Sequence, residues 1–290
     1  MKEHKKVDLH IHSVYSDGTM RPEAILEEAL DAGVEIISIA DHNILEGAIE
    51  LYHLAKANAR TKDVKVILGV ELDSLYEGRD VHILAYNFNL EDLSFRNFVK
   101  ENRHHLDLTS EMLIERMTEA LEMEGFTKEA YDAFEHINEL GGWKALHFLK
   151  SHGLIADLME GLKYYTLYDC GYDKVAFLPV SRVCEIIHAA GGIAILAHPG
   201  VTFKGEVLMP YLRAMLEQGI DGIECYYPKY DDETESICVQ FCNQNNILIT
   251  SGSDCHGSFG QTSIGESCAP ISQLNLNKIK HVFEEDVSKI

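Results

Sequence analysis

The chain has 290 residues, of which 46% are hydrophobic, and its formal net charge is -22 at pH 7. This length and composition suit one large domain, or one domain that carries an insertion, with a full hydrophobic core. The negative charge argues against long nucleic acids as partners, because they bind through Lys and Arg side chains that neutralise phosphates. A local basic pocket for a small phosphorylated metabolite is compatible with it.

The beginning of the chain and its cysteines predict a cytoplasmic protein. Residues 1–6 lack the apolar segment of a signal peptide, and no run in the sequence reaches the length of a membrane span. The seven cysteines are scattered, and none forms a C-x-x-C pair. We therefore expect reduced thiols, no membrane association and no thiolate zinc site.

Residues 7–13, with the sequence Val-Asp-Leu-His-Ile-His-Ser, predict a short strand that runs into a polar turn. Side chains alternate across a strand, so Asp8, His10 and His12 share one face. Two neighbouring neutral imidazoles can chelate a divalent metal. Taken alone, the stretch fits an edge strand with two solvent-exposed histidines equally well.

The next residues predict strands and helices in alternation. A helix starts near Pro22, which suits a first helical position, and Gly33 ends it. The elements that follow are a buried strand at 35–40, a helix at 46–58, and strands at 64–70 and 80–86. This alternation is typical of parallel β/α units, whose chemistry lies at the carboxyl ends of the strands.

The pattern changes between residues 91 and 178, where the sequence is helical and irregular. Helical spacing of apolar residues covers 97–125, and shorter helices are predicted at 128–140 and 144–152. We expect an inserted helical cap at 91–178, on a main domain formed by 1–90 and 179–290.

The alternation resumes after the cap. The predicted helices are 180–190, 208–218 and 233–243, the predicted strands are 193–197, 222–226 and 247–251, and a last helix starts near residue 276.

Metal-binding side chains recur where these strands end. The candidates are His10, His12, Asp17, His42, Glu71, His82, His198, Asp254 and His256. A single histidine at a strand end is more often a hydrogen-bonded structural residue. Repeated placement at ends that a barrel directs toward one mouth favours a cluster of two or three divalent ions, Mn, Fe or Zn, bridged by a carboxylate.

Three acids are candidates for supporting these histidines. Asp8 and Asp80 each lie two residues before a candidate histidine, and Asp41 directly precedes His42. Each carboxylate could accept a ring N–H and so fix a tautomer. The alternative for each is a buried acid that caps a turn.

The motifs that carry these residues resemble the PHP (polymerase and histidinol phosphatase) family. They are Asp8-Leu9-His10-Ile11-His12-Ser13, Ser16-Asp17-Gly18, Ala40-Asp41-His42, Gly69-Val70-Glu71, His82, Ala197-His198-Pro199 and Gly252-Ser253-Asp254-Cys255-His256-Gly257. The resemblance implies an α/β fold, a distorted (β/α)7 TIM-like barrel, whose metal site hydrolyses phosphoesters. It also implies a division of the ligands among three ions: His10, His12, Glu71 and Asp254; Glu71, His82 and His198; and Asp17, His42 and His256.

The insertion and residues 188–199 resemble one subgroup, which includes bacterial nucleoside 3′,5′-bisphosphate phosphatases and a 5′-3′ exoribonuclease. Two places depart from its pattern. Gly142-Trp143-Lys144 stands where the subgroup carries Arg-Pro-His, and Lys229-Tyr230 stands where Ser and His follow Tyr-Pro. Both places are candidates for substrate contact, so the metal chemistry transfers better than the substrate does.

The metals would also provide the nucleophile. A metal cluster lowers the pKa of a bound water and yields hydroxide at neutral pH, so no protein nucleophile is required. Further donors to a phosphate are expected from Arg103, Lys144 and Lys229, each of which could instead be a solvated charge. Glu224 could hold a substrate hydroxyl or a basic residue.

The sequence thus predicts a phosphatase that acts on a small phosphorylated metabolite, with a nucleoside 3′,5′-bisphosphate as the first compound to test. Alternatives are an exoribonuclease on short RNA, against which the acidic charge argues, and a histidinol-phosphate phosphatase. A metal-binding regulatory module without catalysis is a different class. An amidohydrolase-like C–N hydrolase is another, but it favours a metal-ligating Lys, for which the sequence offers no candidate.

Overall fold

The computed structural model describes residues 6–57 and 64–280, and the described strands form two sheets. The first sheet has the order β1-β2-β3, and its strands are β1 (Lys6–Ile11), β2 (Val34–Ile39) and β3 (Lys65–Val66), all parallel. The second has the order β4-β5-β6-β7-β8, with strands β4 (Gly69–Tyr76), β5 (Arg79–Tyr86), β6 (Ile193–Leu196), β7 (Gly222–Tyr226) and β8 (Leu248–Ser251).

The second sheet is mixed, and here the expectation of parallel strands is wrong. β5 runs antiparallel to both β4 and β6, whereas β6, β7 and β8 are parallel. Glu77 and Gly78 alone connect β4 to β5, and such a short link can only form a hairpin. Both residues have positive φ, 51° and 77°, as a two-residue hairpin turn with the right twist requires.

The sheets meet along two seams, which lie beside the candidate metal ligands. At the seam between β1 and the end of β8, the amide of Asp254 donates to the carbonyl of His10 (2.8 Å), and the amide of His12 donates to Cys255 (2.9 Å). At the other seam, the amide of Asn43 donates to the carbonyl of Glu71 (2.8 Å). Within the described residues these links do not complete one closed barrel, so what is observed is a mixed α/β fold.

Helices cover both the main part of the chain and the region between β5 and β6. They are α1 (Pro22–Asp31), α2 (Glu46–Ala57), α3 (Leu93–Leu121), α4 (Lys128–Ala133), α5 (Lys144–Ser151), α6 (Leu158–Leu167), α7 (Val180–Ala189), α8 (Pro199–Thr202), α9 (Leu208–Glu217), α10 (Asp232–Asn245) and α11 (Asn277–Lys280). The predicted helix at 128–140 is instead α4 followed by a 3₁₀ turn at Asn138–Leu140. Most of the predicted C-terminal helix lies outside the described residues. None of the described helices combines the length and the apolar character needed to cross a membrane.

The long helix α3 packs against two hydrophobic cores. Near its start, Phe95 and Phe98 join the core formed by the second sheet with α7, α9 and α10. Near its end, Leu113 and Met117 join a separate core with Phe148 and other residues of the region 91–178. The helical region therefore has its own core and is attached to the sheets through α3. The division into a main domain (1–90 and 179–290) and a cap (91–178) stays a prediction.

Candidate metal centre

The carboxylate of Glu71 lies at the centre of a cluster of histidine rings. Glu71 is 1% exposed and sits in β4 beside a seam between the sheets. Among the described residues, five rings place a nitrogen between 3.0 and 3.4 Å from one of its oxygens: His10, His12, His42, His82 and His198. One carboxylate is thus shared by side chains from several parts of the chain.

Two further carboxylates extend the cluster on the side of His12. Asp254 Oδ1 lies 3.2 Å from His12 Nε2 and 3.6 Å from His256 Nδ1. Asp17 Oδ2 lies 3.3 Å from His256 Nε2, and Asp17 Oδ1 lies 3.5 Å from His12 Nδ1. The structure therefore brings the nine candidate ligands together in one place.

Donor atoms converge closely enough to hold ions. Within the described part of the chain, four groups have donor atoms that all lie within 4.8 Å of one another: His12, Asp17, His42 and His256; His10, Glu71 and His198; His10, His12 and Asp254; and His42, Asp73 and His82.

The local backbone explains how these side chains reach one mouth. His10 in β1 and His12, directly after it, face the cluster, while Leu9 and Ile11 alternate with them and join hydrophobic cores. His198 and Asp254 follow their strands with φ of 27° and 51°. Positive φ in a residue other than glycine is strained, and such strain concentrates at functional sites.

Asp73 belongs to the cluster, although the sequence analysis does not single it out. Its Oδ1 lies 3.3 Å from His42 Nδ1 and 3.4 Å from His82 Nε2. The predicted strand 64–70 stops short of Glu71, whereas β4 runs from Gly69 to Tyr76, so Glu71 and Asp73 share one face. Had the predicted strand been extended beyond Glu71, its alternation would have placed Asp73 on the same face as Glu71.

The donor set and two orphaned atoms fit divalent cations. His42 Nδ1 and Asp73 Oδ1 are buried and lie 3.3 Å apart, but neither makes a well-formed hydrogen bond among the described residues. Leaving buried polar atoms unpaired is costly, and coordination of a cation would satisfy both. Nitrogen and oxygen donors without thiolates suit Mn, Fe or Zn.

Two of the three acids expected to orient histidine rings, Asp8 and Asp41, hold loop segments instead. Asp8 accepts from the amides of Ser253 (2.9 Å) and Gly265 (2.7 Å), and its only contact with His10 is to the amide, at 3.4 Å. Asp41 accepts from the amide of Ser13 (2.7 Å) and from the hydroxyl of Ser16 (2.6 Å).

Asp80 likewise has no direct contact with the ring of His82 among those the structure describes. Because β5 is a hairpin partner of β4, the ring of His82 lies on Glu71 and Asp73 instead. The prediction that Asp8, Asp41 and Asp80 fix the tautomers of neighbouring histidines is therefore wrong.

Glu224 contacts two residues of the cluster, His10 and His198. It is fully buried, its Oε1 lies 3.0 Å from His10 Nδ1, and its Oε2 accepts from the amide of His198 at 2.9 Å. A carboxylate on one ring nitrogen fixes the tautomer and leaves the other nitrogen free to bind a metal. Glu224 thus lies beneath the histidines, away from the position expected for a substrate contact. The hydroxyl of Tyr227 also donates to Asp254 (2.6 Å).

The other residues predicted to contact substrate border two separate cavities. The guanidinium of Arg103 lies 5.3 Å from the ring of Trp143, which is itself 5.7 Å from the ring of His42. Arg103 and Lys144 border a cavity of about 80 Å³. Lys229 lies elsewhere, exposed, 5.8 Å from the ring of Tyr227 and beside a cavity of about 430 Å³.

Charge coupling within the cluster shifts its pKa values strongly. Burial alone would lower the pKa of His42 and His256, but neighbouring carboxylates outweigh it and raise the pKa of each to about 9. Burial alone would raise the pKa of Glu71 and Asp254, but the surrounding histidines hold both well below their usual range. Without cations, protonated histidines balance the buried carboxylates.

Binding of Mn²⁺ to metal-free protein should therefore release protons at pH 7. His42 and His256, each with a pKa of about 9, are protonated at pH 7, and a metal binds only the neutral imidazole. Apparent affinity should therefore rise as the pH increases from 7 towards 9. Calorimetric titration in buffers of different ionisation enthalpy measures the release. Heats at pH 7 that do not depend on the buffer would contradict it.

Known proteins resemble the chain along most of its length. It is 27% identical over 271 residues to a 5′-3′ exoribonuclease of Haemophilus influenzae, covering 91% of this chain and 94% of that protein. It is 26% identical over 268 residues to a phosphoribosyl 1,2-cyclic phosphate 1,2-diphosphodiesterase of Eggerthella lenta, covering 88% and 95%. A 3′,5′-nucleoside bisphosphate phosphatase of Chromobacterium violaceum is 25% identical over 258 residues, covering 86% and 87%.

A solved structure shares the fold. A protein of Bifidobacterium adolescentis described as a metal-dependent phosphoesterase superposes with a TM-score of 0.73 at 21% identity, covering 93% of this chain and 94% of that one. The model of the PHP domain family matches residues 8–163, more than half of the chain, and this match includes six of the nine candidate ligands. The chain belongs to the PHP domain family.

Proposed function

We propose that the chain is a metal-dependent phosphoesterase that releases phosphate from a small phosphorylated metabolite, with nucleoside 3′,5′-bisphosphates as the first substrate class. The observation that carries the proposal is the buried ring of histidines around Glu71, with Asp17, Asp73 and Asp254 beside it. Membership of the PHP family and the named activities of the relatives support it.

The proposed cofactors are two or three divalent ions, Mn, Fe or Zn. Residues that would hold them are His10, His12, Asp17, His42, Glu71, His82, His198, Asp254 and His256, and Asp73 is a further candidate. When bound, such ions neutralise phosphoryl oxygens and make a bound water acidic. We also propose that the two sheets, which are linked at both seams, form a distorted barrel, and that the region 91–178 is its helical cap.

The chain's own residues prepare this chemistry. Glu224 holds the ring of His10 so that its Nε2 faces Glu71 at 3.1 Å. The hydroxyl of Tyr227 occupies one oxygen of Asp254, leaving the other, Oδ1, facing His12. Because the ligands are already oriented and largely buried, little reorganisation is needed when ions and a phosphoryl group arrive.

A second anion has a candidate site in the cap. The small cavity beside Trp143 is bordered by Arg103, Lys144 and His136. Arg103 Nη1 and His136 Nε2 are buried and have no hydrogen-bond partner among the described residues. A phosphate would supply acceptors to such donors, and Arg is well suited to it. The second phosphate of a bisphosphate fits this requirement.

His136 stays uncharged in that cavity. Burial, with the nearby His147, Arg103 and Lys144, lowers the pKa of His136 to about 4. A neutral imidazole still offers one N–H, so it can contact a phosphate without adding charge. The positive charge of this site therefore comes from Arg103 and Lys144, and Asp107, whose Oδ1 lies 2.9 Å from Arg103 Nη2, offsets part of it.

An exoribonuclease acting on short RNA is the second candidate. The similarity to the Haemophilus influenzae enzyme favours it. The larger cavity does not add to this, because Glu206 and Asp231 line it together with Lys204 and Lys229. The net charge of -22 opposes binding of a long polyanion. Short substrates therefore fit the chain better than long ones under either candidate.

Protein loaded with Mn²⁺ should release inorganic phosphate from nucleoside 3′,5′-bisphosphates. The assay panel also contains other phosphomonoesters, histidinol phosphate and short RNA. His12→Ala should lower kcat/KM by about a hundredfold or more, because it removes a ligand that belongs to two of the donor groups. His53→Ala is the matched control, since His53 is exposed on α2. No phosphate release from any compound would refute the proposal, and turnover of RNA alone would favour the exoribonuclease.

Arg103→Leu should raise KM for a nucleoside 3′,5′-bisphosphate by about tenfold or more, because it removes a charge-assisted hydrogen bond to the second phosphate. KM for the corresponding 3′-monophosphate should change much less. Arg96→Leu, at an exposed position of the same helix, should change neither value. Equal effects of Arg103→Leu on both substrates would show that the cap does not bind the second phosphate.

A further inference from the structure

A second cavity lies between α3, α6 and the segment around Tyr172. Its volume is about 230 Å³, and its walls include Leu106, Trp143, Leu162, Tyr165 and Tyr172. Three of these five side chains are aromatic, and Trp143 is the only tryptophan of the sequence. The cavity thus offers flat, mostly apolar walls.

This cavity adjoins the metal centre through two of its walls. The ring of Tyr172 is stacked on His82 with centroids 6.1 Å apart and an angle of 23° between the planes. The ring of Trp143 lies 5.7 Å from His42. Both histidines contact Asp73. A group attached to a phosphate at the metal centre could therefore extend into the cavity.

The charge of the lining separates this cavity from the basic one. Asp80 is the only charged residue among the described residues that line it. The other cavity, across Trp143, is bordered by two cations, Arg103 and Lys144, and by one carboxylate, Asp107, so its net charge is positive. A carboxylate repels phosphate and accepts hydrogen bonds from N–H groups. The occupant should therefore be the uncharged part of the substrate.

Aromatic walls and one carboxylate favour a planar heterocycle that carries N–H donors. Bases stack on aromatic side chains, and this stacking tolerates differences among bases. A carboxylate adds selectivity, because it can accept two parallel N–H bonds from the neighbouring ring N–H and amino group of guanine. Uracil presents a carbonyl on each side of its one N–H and would repel the second oxygen.

We propose that the cavity between Trp143 and Tyr172 binds the nucleobase of the substrate, and that Asp80 makes it prefer guanine to uracil. This rests on the proposed function, because it assigns the organic part of the same substrate. Asp80 is a specificity-determining residue, which contacts the base and takes no part in the bond cleavage.

Binding can be tested without turnover, because Trp143 is the sole tryptophan. Guanosine, which carries no phosphate, should quench or shift the tryptophan fluorescence with saturation, and uridine should bind about fivefold or more weakly. Ribose, which carries neither a base nor a phosphate, should leave the fluorescence spectrum unchanged. Asp80→Asn should remove the preference for guanosine over uridine. Equal binding of the two nucleosides, or none at all, would overturn the proposal.

Kinetics provide a second test with a matched pair of variants. Leu162→Trp places an indole at the rim of the cavity, whereas Leu167→Trp places it at a position of the same helix that is 70% exposed. Leu162→Trp should lower the ratio of kcat/KM for guanosine 3′,5′-bisphosphate to that for ribose 5-phosphate by about tenfold. Leu167→Trp should leave the ratio unchanged.

The outcomes separate this proposal from the proposed function. Phosphate release from both compounds with a ratio that Leu162→Trp does not change would overturn the nucleobase site and leave the phosphoesterase intact. No phosphate release from either compound, together with saturable binding of guanosine, would overturn the phosphoesterase and leave the nucleobase site intact.

Discussion

The carboxylate of Glu71 is buried among histidine rings, and the rest of the site depends on keeping it there in its charged form. Burying a carboxylate is costly unless positive charge and hydrogen bonds compensate for it. Ring nitrogens of His10, His82 and His198 lie 3.0 to 3.1 Å from its oxygens, and those of His12 and His42 lie slightly farther away. Either protonated imidazoles or bound cations can supply the charge, so protons and metals compete for the same atoms.

The fold meets this constraint by joining its sheets where the ligands lie. One seam pairs the backbone of His10 and His12 with that of Asp254 and Cys255, and the other links Asn43 with Glu71. Buried acids then secure the segments around the seams: Asp8 holds the amides of Ser253 and Gly265, and Asp41 holds Ser13 and Ser16. Rigid strands with tied loops keep the donor atoms in position, as a preorganised metal site requires.

Local patterns predict much of this arrangement, but not the contacts between distant segments. Alternation in residues 7–13 places His10 and His12 on one face, and the predicted helices at 46–58, 180–190 and 208–218 agree with α2, α7 and α9 to within a residue or two. The hairpin at Glu77-Gly78 is not predicted, because the dipeptide Glu-Gly is not one of the Asn-Gly or Asp-Gly pairs typical of such turns. Without the hairpin, the sequence analysis does not place Asp73 beside Glu71, and it assigns Asp80 to the ring of His82 instead of Asp73. Glu224 supports His10 across 214 positions of sequence, a contact that no local pattern can reveal.

The central claim is that Glu71 joins a site for more than one metal ion, and the metal content of the protein tests it most directly. Protein purified without chelator, saturated with Mn²⁺ and then desalted should hold two or three ions per chain by elemental mass spectrometry. Glu71→Gln should lose most of them, and Glu23→Gln, at an exposed position of α1, should lose none. One ion or fewer in the unmodified protein, or an unchanged content in Glu71→Gln, would contradict the account.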